Sequence, residues 1–187
     1  MKTNMSMSSN GNEMESTSLN TIQVSNIHDQ FLQLKSNEVN GKNVVISNLE
    51  HCGIFLKGIP SSVEIKNLHG CVIIVGPCSS NVNIDECHQC EFALACQQLN
   101  VHTSDECDFY VHITTQPILD DCHHCRFAPY NVDYQSKQND IRQSGLTWTI
   151  DYWDHPVDAS KKSSDLETID EDERKEWSLD IPSTPSI

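Results

Sequence analysis

The chain has 187 residues and a formal net charge of −15 at pH 7. That length suffices for one domain with a hydrophobic core plus tails, and the negative charge disfavours nucleic acid or an anionic membrane surface as a partner. Nine cysteines occur without a secretory signal, a membrane-spanning apolar run or a lipidation motif, which predicts free thiols, a reducing compartment and no membrane anchor.

The first segment, residues 1–20, consists of Ser, Asn, Met, Glu and Thr with almost no large apolar side chains. Such a composition cannot bury enough apolar surface to offset the entropy lost on ordering. We therefore predict a disordered N-terminal tail over residues 1–20 and a single folded domain over residues 21–156.

A repeat of about 18 residues runs through the middle of the chain. Apolar and polar residues alternate within each unit, as in Val63-Glu64-Ile65, which is typical of short strands with one buried face. Because a unit this small cannot close its own core, successive units must stack. We predict an all-β fold, a right-handed parallel β-helix of about five rungs between residues 43 and 130. The competing β-sandwich would need hairpin turn pairs, which the repeat lacks.

One cysteine recurs in every repeat, followed two positions later by a large apolar residue. Cysteine behaves as a small hydrophobe and suits a narrow interior, so we expect this column to point into the core. The predicted core residues of these two columns are Cys52, Cys71, Cys90, Cys107, Cys125, Phe92, Phe109 and Phe127.

Two C-x-x-C pairs, Cys87 with Cys90 and Cys122 with Cys125, raise the alternative of a zinc site. The repeat places these pairs two rungs apart, roughly 10 Å at strand spacing. Zinc holds each sulfur ligand at about 2.3 Å. We therefore predict that these thiols pack in the core, and we expect no metal and no other cofactor.

The last segment, residues 157–187, is acidic and poor in apolar residues. This composition predicts a second disordered tail, with a short helix over residues 165–177 and no contribution to the core. The alternative is a partner-binding motif built on Leu166, Ile169 and Trp177.

Four segments of the chain carry a resemblance to a known family. They are Cys96-Gln97-Gln98-Leu99, Gln116–Cys122, Arg126–Tyr130 and Tyr152–Asp158. In this order they resemble the domain of tubulin-binding cofactor C, which also occurs in the retinitis pigmentosa protein 2 and, more distantly, in cyclase-associated proteins. The resemblance spans roughly residues 22–156 and implies a right-handed β-helix, in agreement with the repeat.

In that family the first motif continues as C-Q-Q-L-R, and the resemblance implies that its arginine acts as an arginine finger on a GTPase. A guanidinium that neutralises the charge on the transferring phosphoryl group can be worth 10³–10⁵ in rate. This sequence has Asn100 at that position. His102 does not supply the charge at pH 7, because an unperturbed imidazole has a pKa of about 6.5. We therefore expect GTPase activation to be lost or weak, with no catalytic residue in this chain.

The polar residues around Asn100 are expected to contact the partner. In the predicted ladder Leu99 and Val101 point inward, so Asn100 and His102 point outward. Asp120 follows one rung later, where the resemblance implies an acidic interface residue. The residues expected to bind the GTPase partner are Gln97, Gln98, Asn100, His102 and Asp120.

The resemblance implies a regulator, not an enzyme, that acts in the cytoplasm in association with the cytoskeleton. Its implied partners are tubulin or an Arf-like GTPase, and other tubulin-folding cofactors. Two alternatives are an actin-binding module like that of cyclase-associated proteins and a non-catalytic scaffold. The Cys-Gln-Gln-Leu and Phe-Ala-Pro-Tyr segments favour cofactor C.

Overall fold

The computed structural model describes residues 20–180 and consists mainly of short strands. Most of the strands lie in two seven-stranded sheets, and the chain alternates between them as it winds along the molecule. This arrangement is a parallel β-helix, and it confirms the predicted fold class. In chain order the first twelve strands are β1 (Thr21–His28), β2 (Phe31–Leu34), β3 (Asn43–Glu50), β4 (Gly53–Leu56), β5 (Ser62–His69), β6 (Val72–Val75), β7 (Asn81–His88), β8 (Glu91–Cys96), β9 (Gln98–His102), β10 (Asp108–Ile113), β11 (Ile118–Asp120) and β12 (Arg126–Pro129).

The remaining elements are four two-residue strands, two short α-helices and a one-turn 3₁₀ helix (Glu171–Glu173). The strands are β13 (Val132–Asp133), β14 (Val157–Asp158), β15 (Glu167–Thr168) and β16 (Trp177–Ser178). The α-helices are α1 (Ser36–Val39) and α2 (Lys137–Gln143). No helix among residues 20–180 is long and apolar enough to cross a membrane.

The first sheet has the order β1-β3-β5-β7-β9-β11-β14, and all its strands pair in parallel. Along each of its long strands buried residues alternate with more exposed ones, so one face lines the core and the other meets solvent. The ladder extends one rung before the five predicted between residues 43 and 130, because β1 and β2 pair with β3 and β4.

The second sheet has the order β2-β4-β6-β8-β10-β12-β15. Its inner face carries Phe92, Phe109 and Phe127, whose rings stack with centroids 5.2 and 5.1 Å apart. Part of its outer face is also apolar and buried, with Ile74 and Tyr110 almost inaccessible to solvent, while Glu91, Asp108 and Arg126 form a polar column on it. Both faces of this sheet therefore carry core residues.

The repeating cysteines line the interior between the two sheets, and each is at most 3% exposed. Each thiol also donates a hydrogen bond of 3.2–3.3 Å to the backbone carbonyl two residues before it, for example from Cys90 to His88 and from Cys107 to Asp105. A small apolar side chain that is also a weak donor thus suits this column.

The prediction of a disordered tail is wrong for residues 157–180, which we call the C-terminal strap. Its strands extend both sheets, because Val157 pairs with Ile118 and Thr168 pairs with Phe127. Strand β16 pairs with β13. The predicted helix over residues 165–177 is also wrong, since this stretch contains β15, a one-turn 3₁₀ helix and the start of β16. The predicted domain end at residue 156 therefore falls before the last rung of the ladder.

The few apolar residues of the strap explain this outcome. Ile169 and Leu179 are buried against the outer face of the second sheet, and Trp177 packs there beside them. Leu166 packs against the interior of the ladder. The three residues considered as a partner-binding motif thus serve the protein's own core. Residues 1–19 and 181–187, on which the other predicted tail positions fall, lie outside the described residues.

Candidate functional site

Asn100, for which the sequence resemblance predicts the arginine-finger position, lies on the outer face of the first sheet. Strand pairing places it in one column between Asn83 on the preceding rung and Ile118 on the next. Its Nδ2 donates to Oδ1 of Asn83 over 2.8 Å, and its Oδ1 accepts from Nε2 of Gln98 over 3.2 Å. The amide is therefore half-buried and engaged on both of its polar atoms.

His102 occupies the neighbouring column between two carboxylates. Its Nδ1 lies 3.0 Å from Oδ1 of Asp85, and its Nε2 lies 3.2 Å from Oδ2 of Asp120. The hydrogen bond to Asp85 raises the pKa of His102 above its ordinary value. Lys66 contacts the other oxygen of Asp85 at 3.1 Å, so charges of alternating sign run along this column. His102 is thus protonated to a greater extent than an unperturbed imidazole would be at the same pH. Its charge is already paired with the carboxylates of Asp85 and Asp120.

Two exposed apolar residues complete this surface, and the sequence analysis missed both. Ile118 is 38% exposed and Val157 is 41% exposed. They follow Asn100 directly in its column, on the last two rungs of the first sheet. Ile118 left a signal in the sequence, because it falls in the column of the repeat that carries Glu64, Asn83 and Asn100 on earlier rungs. Val157 left none, because it lies beyond the repeat and joins this column only through its pairing with Ile118.

The structure brings four of the five predicted contact residues onto one open surface: Gln98, Asn100, His102 and Asp120. Gln97 lies apart, in the turn that connects the second sheet to the first. Its carbonyl accepts hydrogen bonds from the backbone N–H and the hydroxyl of Thr115, at 3.1 and 2.8 Å. Gln97 is exposed, but it stands at the edge of the surface.

Neither Arg126 nor Arg142 lies on the outer face of the first sheet with Asn100. Arg126 lies on β12 in the second sheet, where it donates to both carboxylate oxygens of Asp108 at 2.9 and 2.8 Å and to Glu173 at 2.8 Å. A guanidinium held in this way is tied to the scaffold. Arg142 is exposed on α2, outside both sheets.

The two C-x-x-C pairs lie in the core. Cys87 and Cys122 share an inward column with Ser104 on the rung between them, and the Ser104 hydroxyl accepts from the Cys87 N–H at 3.3 Å. Burial raises the pKa of the Cys87 thiol, which disfavours the thiolate that a zinc ion requires. No group of three or more His, Cys, Asp or Glu side chains in residues 20–180 is arranged to hold a metal ion.

Comparison with known proteins decides the family. The sequence profile described as tubulin binding cofactor C matches residues 41–159. The chain belongs to this family. The resemblance seen in the four motifs is thereby confirmed.

Two mammalian relatives are similar over most of this chain, and a plant relative is similar over a smaller part. The chain is 33% identical to mouse tubulin-specific chaperone C over 134 residues, which is 72% of this chain and 39% of the relative. It is 31% identical to the bovine tubulin-specific chaperone C over 159 residues, 82% of this chain and 46% of the relative. A tubulin-folding cofactor C of Arabidopsis thaliana is 35% identical over 60 residues, 32% of this chain and 17% of the relative. The chain thus spans less than half the length of these relatives.

The region matched by the cofactor C family contains β3 to β14 and therefore the whole surface around Asn100. The first rung and the later part of the strap lie outside it. The family region coincides with the part of the ladder that carries the candidate site.

Proposed function

We propose that this chain is a cofactor C-like regulator that binds a GTP-binding partner through the outer face of the first sheet. The observation that carries the proposal is the family match over residues 41–159, which includes that face. The names of the mouse and bovine relatives favour tubulin as the partner, with other tubulin-folding cofactors in the same assembly. An Arf-like GTPase is the other partner of this class.

The surface has the composition of a protein-binding patch. We call Gln98, Asn100, His102, Ile118, Asp120 and Val157 the docking face. Ile118 and Val157 offer apolar contact area, while the amides and the alternating charges beside them supply hydrogen bonds that fix the register. Gln97 borders this face and contributes at its rim.

Binding without strong activation is the expected activity. Asn100 is neutral and engaged with Asn83 and Gln98. His102 is engaged with two carboxylates, which leaves no unpaired cation on the face. Because activation of GTP hydrolysis depends on positive charge that reaches the phosphoryl group, the chain regulates its partner by contact and has little or no activating power.

Binding assays with matched histidine variants test this proposal. Tubulin and a GTP-loaded Arf-like GTPase are each titrated with the wild-type chain, with His102→Ala and with His51→Ala. The two histidines have equal side-chain exposure, 56% and 55%, but only His102 is on the docking face. We expect His102→Ala to weaken binding about tenfold, the effect of a contact near the centre of an interface, and His51→Ala to have little effect.

Two results would contradict the proposal. Equal affinities for both variants would place the contact elsewhere on the molecule. Binding of neither GTP-binding protein, together with co-sedimentation on actin filaments, would favour the actin-binding alternative, and no binding in either assay would favour the scaffold.

A further inference from the structure

A groove lies between α2 and the loop that follows it. It has a volume of about 350 Å³. Ile141, Leu146 and Trp148 form apolar walls, and Gln138 and Arg142 line its polar side. This volume is within the range of binding pockets, roughly 300–1,000 Å³, and suits one apolar side chain of a peptide.

The aromatic wall of the groove is fixed in place but open to solvent. The Trp148 indole donates from Nε1 to Oε1 of Gln138 over 3.0 Å, and its ring packs on His112 with centroids 4.6 Å apart. His112 is itself buried and anchored at 2.9 Å by both Asp151 and the carbonyl of Thr147. Trp148 is nevertheless 41% exposed. A large apolar ring held rigidly at the surface loses little entropy when a ligand covers it.

Two cations flank this wall. The Lys137 Nζ lies 5.6 Å from the ring centroid of Tyr130 and 5.5 Å from that of Trp148. Arg142 is exposed, and its Nη2 donates to Oδ1 of Asn139 over 3.2 Å. Within residues 20–180, neither cation takes part in an ion pair, a property that they share with Lys35, Lys42, Lys161 and Lys162.

The carboxylates closest in sequence are committed elsewhere. Asp140 on α2 is buried and accepts from the Ser136 hydroxyl at 3.0 Å. Asp151 contacts His112 and accepts from the backbone N–H of Ile113 at 3.1 Å. In a chain of net charge −15, the groove therefore places two cations that have no ion-pair partner within residues 20–180 beside an apolar wall.

We propose that this groove binds an acidic peptide segment of a partner protein, with an apolar side chain placed between carboxylates. The apolar side chain would pack against Ile141, Leu146 and Trp148, and the carboxylates would pair with Lys137 and Arg142. The acidic remainder of the protein does not prevent this, because exposed charges beyond about 8 Å are largely screened at physiological salt. Trp and Arg are also the residue types enriched at energetic centres of interfaces. This site shares no residue with the docking face, and the proposal does not depend on the proposed function.

A short synthetic peptide tests the proposal directly. The probe is acetyl-Glu-Leu-Glu-Leu-Glu-amide, followed by the NMR signal of the Trp148 indole N–H during titration to about 1 mM, the affinity range of weak peptide binding. We expect a saturable shift of that signal for the wild-type chain and at least fivefold weaker binding by Lys137→Glu and by Arg142→Glu. Lys35→Glu, a matched charge reversal far from the groove, should bind like the wild type. The basic peptide acetyl-Lys-Leu-Lys-Leu-Lys-amide should leave the signal unchanged.

Each of the opposite results would overturn the proposal. An absent or non-saturable shift would show that the groove takes no such segment. An equal response to the basic peptide would show that charge plays no part. An equal loss in Lys35→Glu would show that the peptide responds to overall charge and not to the groove.

Discussion

The ring of Tyr110 on β10 meets the ring of Trp177 on β16 edge to face, with centroids 4.4 Å apart and planes at 83°. The Tyr110 hydroxyl also accepts the backbone N–H of Lys175 at 3.3 Å, and Tyr110 is 1% exposed. The strap thus closes a face of the second sheet that would otherwise expose a large aromatic residue.

This contact predicts that the strap stabilises the whole ladder. Trp177→Ala should lower the free energy of unfolding by about 2–3 kcal/mol, slightly less than the cost of a fully buried tryptophan because Trp177 is only half-buried. Urea denaturation measures it. Trp148→Ala, which removes a more exposed indole, should cost about 1 kcal/mol or less. A loss below about 0.5 kcal/mol for Trp177→Ala would show that the strap is dispensable.

A second prediction concerns the finger position. Asn100→Arg should raise stimulated GTP hydrolysis by the cognate partner at least tenfold. The upper limit is the factor of 10³–10⁵ in rate that such a finger can supply. Affinity should change less, because the guanidinium acts on the charged transition state and not on the ground state. Single-turnover GTP hydrolysis at matched partner occupancy measures the effect.

The control for this prediction lies one rung away in the same column. Asn83→Arg adds the same charge beside the same amide, but away from the position of the family arginine, and should stimulate little. Asp120→Ala should weaken binding in both backgrounds, since it removes an interface charge. If wild type already stimulates as strongly as Asn100→Arg, another residue acts as the finger.

A third prediction concerns the cysteine column. Replacement of Cys90 by Ser should cost only about 1 kcal/mol, because the hydroxyl can keep the hydrogen bond to the His88 carbonyl that the thiol makes. Ser104, in an adjacent inward column, already donates to the His102 carbonyl at 3.0 Å. Phe109→Ala, which opens the ring stack, should cost about 3–5 kcal/mol. Similar losses from the two variants would mean that the column tolerates no hydroxyl.

A chelator tests whether the cysteines of this column and of the adjacent one hold a metal ion. With the thiols packed in the core, addition of EDTA should leave the melting temperature unchanged, because no bound ion contributes to the folded state. A drop of several degrees, restored by zinc but not by magnesium, would contradict the packing of Cys87, Cys90, Cys122 and Cys125 and establish a zinc site.

The charge of His102 gives a pH prediction. Because Asp85 raises the pKa of His102 in the folded state, its contribution to stability is complete below the ordinary value of about 6.5 and is lost as pH rises through the raised pKa. The contribution is about 0.5 kcal/mol or less, since the pair is exposed. NMR titration of the imidazole should give a midpoint above 6.5 that falls in Asp85→Asn. An unchanged midpoint in that variant would remove Asp85 as the cause.

The ladder itself was predictable because its period is local. Val63, Ile65 and Cys71 recur with the spacing that a rung requires, and each rung buries the same positions as its neighbours. The surface position of Asn100 followed from the inward direction of Leu99 and Val101. These inferences need only the alternation within a strand and the stacking of equivalent positions.

The second core was not predicted, although a signal for it is present. Val72-Ile73-Ile74-Val75 and Phe92-Ala93-Leu94-Ala95-Cys96 are continuous apolar runs, and such runs indicate strands buried on both faces. The residues that cover the outer face of the second sheet could not be predicted from the local sequence pattern. Ile169, Trp177 and Leu179 are isolated in an acidic segment, and their partners are more than 40 residues earlier in the chain. The apolar end of the docking face, Val157, depends on that same long-range pairing.

The pairing of β13 with β16 also orders the events of folding during synthesis. The ribosome completes the outer face of the second sheet, including Ile74 and Tyr110, before it makes Trp177 and Leu179, which cover that face. Each rung of the ladder can stack as it emerges, but the nascent chain carries an uncovered apolar strip until the strap arrives. During that interval the strip is open to aggregation or to a holding chaperone. The strip therefore stays uncovered until residues 157–180 have been made and have left the ribosome.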